Sequence, residues 1–168
     1  MHANVFGVDP GWVGQFNDEL AEFVAKALAP LGGEKKVWAV GDRVKSRLAD
    51  VGLTPAGLFA VPTSVGAITA VVGQVLVESE AHPEKGEIGP LYVFHNRPKT
   101  RATYEPVCQH LLPLDAAWAL TPSHLPWPGK NLPAVHGHRA GTVAASVREA
   151  TAVSLSNAAP APLAAPTG

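Results

Sequence analysis

Cysteine is almost absent from this sequence: Cys108 is the only one in 168 residues. A single thiol excludes an intramolecular disulfide and any zinc site built from several cysteines, and it fits a reducing compartment. In an apolar strand such a residue is expected to be buried and to act as a small hydrophobe. An excess of one charge is also absent. Thirteen basic residues face fourteen acidic ones, for a net charge of -1, so no electrostatic footprint for nucleic acid exists. The densest basic stretch, Arg97 to Arg101, reads as a solvated turn. No basic segment followed by an apolar run opens the chain, so no signal peptide is expected. The most apolar run, Ala67 to Val77, is broken by Gly73 and Gln74 and is too short to span a bilayer. The protein is expected to be cytoplasmic, peripheral to a membrane at most, with no direct membrane span. No internal repeat is visible.

What is present is a globular composition, 46% apolar and 16% charged, and an alternation of strand and helix patterns. Asn4–Val8 reads as a short buried strand. Phe16, Leu20, Phe23, Val24, Ala27 and Leu31 then recur at helical spacing, with Glu19, Glu22 and Lys26 opposite. Gly32-Gly33 ends this helix, placed near 14–30. Lys36–Val40 is a second strand, and Val44, Leu48 and Val51 mark a short helix closed by Gly52. Gly57–Val61 is a third strand, broken by Pro62. Thr63 or Ser64 can cap the next helix, near 65–80, which buries Val65, Ile68, Val71, Val72, Val75 and Leu76. His82–Gly89 reads as a loop.

Pro90–His95 is a fourth strand, near-continuously apolar as befits one covered on both faces. Tyr104–Leu112 is a fifth, joined to it by a short antiparallel connection, and Pro106 places it at an edge. These patterns predict an α/β fold: a Rossmann-like, open and mostly parallel sheet with flanking helices and a C-terminal antiparallel hairpin strand. The globular unit is expected over 1–115. A Pro/Trp-rich strap and a weak helix follow over 116–155, the helix near 139–155. Residues 156–168 form an Ala/Pro tail too poor in large apolar groups to build a core.

Chemistry is harder to find. Gly11 and Gly14 lie between a strand and a helix, but the dinucleotide fingerprint needs two glycines one residue apart, and Pro10 and Trp12 occupy the tight turn instead. No phosphate-binding loop of the nucleotidase type occurs. His136, His138 and His124 lack the scaffold and supporting partners of a metal centre. His95 lies where open α/β sheets place ligands, and with Asp9 and Asn96 it supplies the candidate set for a small enzyme. Its ordinary reading is a strand-end histidine bonded to backbone. Cys108 and His110 share a strand face, yet no orienting group or oxyanion donors accompany them. Glu78 and Glu80 close a helix whose dipole they oppose, and they read as solvent-facing. No catalytic, cofactor-binding or metal-ligating residue is assigned, and no cofactor is expected.

Four segments, taken in order, carry a resemblance. Asp9-Pro10-Gly11-Trp12-Val13-Gly14-Gln15-Phe16-Asn17 resembles the signature after the first strand of the rotary ATP synthase gamma subunit. Val37-Trp38-Ala39-Val40-Gly41 resembles its second strand, Leu91-Tyr92-Val93-Phe94-His95-Asn96 its fourth, and Gln109-His110-Leu111-Leu112-Pro113-Leu114 its fifth. The Gly-Gln-Phe-Asn and His-Asn-Arg-Pro wording is most similar to the alternative, N-type branch. Together these cover about residues 4–115. The resemblance implies the globular domain of a central rotor stalk in a proton- or sodium-translocating synthase, in contact with the epsilon subunit and the rotor ring. It implies contact with the catalytic alpha/beta ring only through a coiled-coil shaft. Catalytic residues in that family belong to other subunits. Trp12 stands where the family has leucine, and the long helices of the shaft are expected to be missing here, which implies a truncated or degenerate form. A shaftless module that binds a rotor component is the alternative.

Overall fold

The computed structural model describes residues 1–8, 15–80, 89–99, 103–112, 149 and 151–157. Strand β1, His2–Phe6, is buried at all five positions, because it lies between two other strands. It pairs in parallel with β2, Lys36–Val40, on one side and with β4, Leu91–Pro98, on the other. β2 pairs in parallel with β3, Gly57–Phe59, and β4 pairs antiparallel with β5, Tyr104–Leu112. The sheet order is β3-β2-β1-β4-β5. The predicted α/β sheet and its antiparallel hairpin are therefore present.

Three strand boundaries differ from expectation, each for a visible reason. β1 ends at Phe6 and not at Val8, since the N–H and C=O of Val8 are both taken by the Asn17 side chain. β3 stops at Phe59 because β2 has no further partner for it. Gly41 N–H bonds the Phe59 carbonyl at 2.9 Å, and the chain turns into helix α2 at Asp42. β4 runs past His95 to Pro98 because β5 pairs with it as far as Pro98↔Tyr104.

Helix α1, Phe16–Leu28, buries Leu20, Ala21, Val24 and Leu28. With Val44 and Leu48 of α2, Asp42–Asp50, it covers Ala3, Val5, Val37, Ala39 and Phe94 on one face of the sheet. Val51, expected on the buried stripe of α2, is exposed at its C-terminal cap. Arg47 of α2 reaches Asp18 of α1 at 2.6 Å, a half-exposed pair of little net value. Helix α3, Val65–Glu80, covers the other face. There Val71, Val72, Val75 and Leu76 meet Phe6, Val40 and Val93. Ser64 caps α3, its Oγ accepting from the Ala67 N–H at 3.2 Å.

Leu155, in a helical segment at 151–157, is buried in the same cluster. That segment covers the end of the helix expected near 139–155. The strap and most of the tail lie outside the described residues, as does the His82–Gly89 loop apart from Gly89. Among the described residues no helix is long and apolar enough to cross a membrane.

Candidate functional site at the carboxyl edge of the sheet

In an open α/β sheet, ligands settle beyond the carboxyl ends of the strands, where the strand order reverses. Here the chain moves outward from β1 to β2 to β3 and then crosses back to β4, so the reversal falls between β1 and β4. The residues at that point are Phe6, Gly7 and Val8 after β1, His95 and Asn96 in β4, and the first turn of α1.

Neutral side chains tie these residues together. The Asn17 amide, 8% exposed, accepts from the Val8 N–H at 3.1 Å and donates to the Val8 C=O at 2.7 Å. The side chain acts as a two-bond clasp between α1 and the end of β1. Asn96 Nδ2 donates to the Phe16 C=O at 3.0 Å, which ties β4 to the same turn. The Phe16 ring lies 4.6 Å from that of Tyr104 in β5. A Cβ on Gly7 would stand 2.4 Å from Val44 Cβ, so β1 and α2 approach too closely there for any side chain. Asp9, Gly11 and Gly14 lie outside the described residues.

The candidate set His95 and Asn96 is not brought together. Adjacent residues of one strand point to opposite faces. Asn96 turns toward α1, while His95, opposite Phe6, belongs to the face under α3. His95 is buried and its Nε2 has no hydrogen-bond partner. Burial holds its pKa below the ordinary histidine value, a backbone hydrogen bond at Asn96 works the other way, and the charge of Arg97 lowers it further. The imidazole is thus kept neutral. Asn4, fully buried on the same face, also has both amide atoms unpartnered, and its neighbour in register, Trp38, has an unpartnered indole N–H. This row of polar groups is a cost carried by the fold.

Cys108 corrects an expectation: it is exposed, not buried. β5 is the outermost strand of the sheet, and among the described residues no helix follows it before 149. Desolvation by the sheet still raises the thiol pKa, which is the reverse of activation. His110 stacks on Tyr92 at 4.7 Å between ring centres. No group of three or more metal-ligating side chains occurs among the described residues, and His124, His136 and His138 lie outside them.

Sequence reasoning missed the clasp made by Asn17, although Asn17 closes the signature stretch. An asparagine two residues into a helix, just after a strand and turn, was the available signal. It also missed a shallow groove at the opposite edge of the sheet. There Leu58 and Phe59 of β3 face Ala70, Gly73, Val77 and Glu78 of α3.

No family model matches the chain, and no curated protein matches it in sequence. Solved structures do match in shape. A chain of the central stalk/c-ring of the Tetrahymena thermophila mitochondrial ATP synthase aligns with a TM-score of 0.65 and 17% identity, over 94% of this chain and 66% of that one. Two chains from the Euglena gracilis mitochondrial ATP synthase also align. One, from the rotor, has a TM-score of 0.65 and 12% identity over 95% of this chain and 59% of the other. The second, from the OSCP/F1/c-ring structure, has 0.62 and 12% over 94% and 54%.

The shared property is the fold. This chain spans 54–66% of the length of those three. The α/β arrangement described above is thus found in chains of rotary assemblies.

Proposed function

We propose that this chain is a non-catalytic component of a rotary ATP synthase rotor, corresponding to the globular domain of a gamma-type central-stalk subunit. The observation that carries the reading is the shape match over at least 94% of the chain to three chains of such assemblies. Two further observations support it. The four gamma-like segments lie in the family's order, and those described fall on β2, β4, β5 and the start of α1. Among the described residues the carboxyl edge is tied together by asparagine side chains and carries a buried histidine whose pKa burial lowers.

In this reading the domain acts in ion-coupled ATP synthesis through subunit contacts, with the epsilon subunit and the rotor ring as partners, and sits at the inner face of the cell membrane when assembled. The test is purification of an affinity-tagged chain from detergent-solubilised membranes of its own cell. Synthase subunits in fixed stoichiometry with the tagged chain are the expected result. A tagged chain that stays in the soluble fraction without them would overturn the reading.

A further inference from the structure

β3 is an edge strand with an unusually accessible border. The Gly41 N–H bonds the Phe59 carbonyl at 2.9 Å, so Phe59 turns its backbone groups toward β2. Backbone direction alternates along a strand, and the N–H and C=O of Leu58 therefore point outward, away from the sheet. Leu58 is 38% exposed. Beside this border runs α3, whose outer side mixes the small or apolar Ala70, Gly73 and Val77 with the polar Gln74 and Glu78. Val77 is 55% exposed, and a Cβ on Gly73 would meet nothing within 4 Å. Together β3 and α3 wall the groove described above.

Two features decide what fits. A helix laid in the groove would bury the outward N–H and C=O of Leu58 with nothing to bond them, whereas an extended segment pairs with both. The charge is also one-sided. Glu78 and Glu80 are the only charged residues of α3, and they stand at its C-terminus, where the helix dipole is already negative. Among the described residues Glu78 has no ion pair.

We propose that the β3–α3 groove docks an extended segment of a partner protein. The segment pairs with the backbone of Leu58, lays apolar side chains over Gly73 and Val77, and brings a lysine or arginine to Glu78. This inference stands on the groove alone and does not require the rotor reading.

The test is selection of a displayed random heptapeptide library on the full chain, followed by fluorescence anisotropy with the enriched peptides. The expected peptides alternate apolar residues and carry a basic residue at one end. Gly73→Leu fills open space, and Leu58→Pro removes an outward N–H that the sheet does not use. Each should weaken binding by about tenfold or more. Glu78→Lys should reverse the charge preference of the peptide. No enrichment, or enriched peptides indifferent to all three substitutions, overturns the proposal. So does a dimer in solution that Leu58→Pro dissociates, because the groove would then be filled by a second copy.

Discussion

Replacing Asn17 with alanine removes the clasp on Val8 and tests whether the carboxyl edge is held as described. Two hydrogen bonds are lost, at 3.1 and 2.7 Å, and a backbone N–H and C=O are left without partners. A buried unsatisfied group costs about 1–3 kcal/mol. Val8 is only partly buried, so water recovers some of that, and a net loss of about 2–3 kcal/mol is expected. For a chain of 168 residues about 1 kcal/mol moves the melting temperature by roughly 2–4 °C, which gives a fall of about 4–12 °C. Asn17→Asp should do no better, because it keeps the acceptor for the Val8 N–H and turns an anionic oxygen toward the Val8 carbonyl. Asn96→Ala should cost less than Asn17→Ala: it removes one bond and also an Oδ1 that is buried without a partner. The assay is thermal unfolding by circular dichroism with urea titration. Asn17→Ala within about 0.5 kcal/mol of the parent, or less damaging than Asn96→Ala, would refute the reasoning.

Gly57→Ala should destabilise by about 1–3 kcal/mol in urea titration, since the new methyl would stand 2.3 Å from Trp38 Cζ3, in a ring already stacked on Phe59 at 5.8 Å. For His95 the folded-state pKa is lowered by burial, so the unfolded chain binds the proton first as pH falls. Stability from this residue is complete above the ordinary value of about 6.5 and is lost as pH drops from there toward the folded-state value. His95→Gln should therefore flatten part of the decline in melting temperature between about pH 7 and pH 5. An unchanged slope would show that His95 is not a source of that decline. Pro106→Val should leave stability nearly unchanged but promote self-association in analytical ultracentrifugation. Lys99 N–H bonds Thr103 C=O at 2.7 Å, and that register turns the Pro106 nitrogen outward, where it blocks strand addition. Calorimetry with ATP should show no binding near a micromolar Kd, which would correspond to about -8 kcal/mol.

The strand and helix sequence was legible because its signals are local. Lys36–Val40 and Tyr104–Leu112 are bounded by turns and rich in β-formers, and both expected ranges match the structure. Boundaries shifted where a distant residue intervened: Asn17 releases Val8 from β1, and β5 extends β4 to Pro98. Pattern alone carries no record of such partners. Cys108 misled for a related reason. Its strand was expected at an edge and lies there, but whether one residue of an edge strand is buried depends on what packs against it, which the local pattern does not show. At the carboxyl edge the sequence showed only glycines spaced wrongly for a phosphate, because the Asn17 clasp depends on the contact between α1 and the end of β1. The β3–α3 groove was read only as one amphipathic helix, since nothing in the spacing of α3 shows that Gly73 and Val77 lie beside a strand border.

The central position of β1 sets the order in which the chain can be completed during synthesis. Of the five strands, the earliest in the chain is the one that needs both neighbours, and its second neighbour, β4, begins at Leu91. Until then β1 can pair with β2 and gather α1 and α2, but the sheet border meant for β4 stays open. Phe16 and Asn96, joined across eighty positions, can meet only when the β4–β5 hairpin arrives. Such long-range closure is slow relative to helix formation. A nascent chain halted between α3 and β4 therefore displays the unpaired border of β1, the kind of surface on which aggregation and chaperone capture compete. Slow translation before Leu91 should lower the yield of folded protein, and more so than a pause after Leu112, when the sheet is complete and Leu155 is the described core residue still to come.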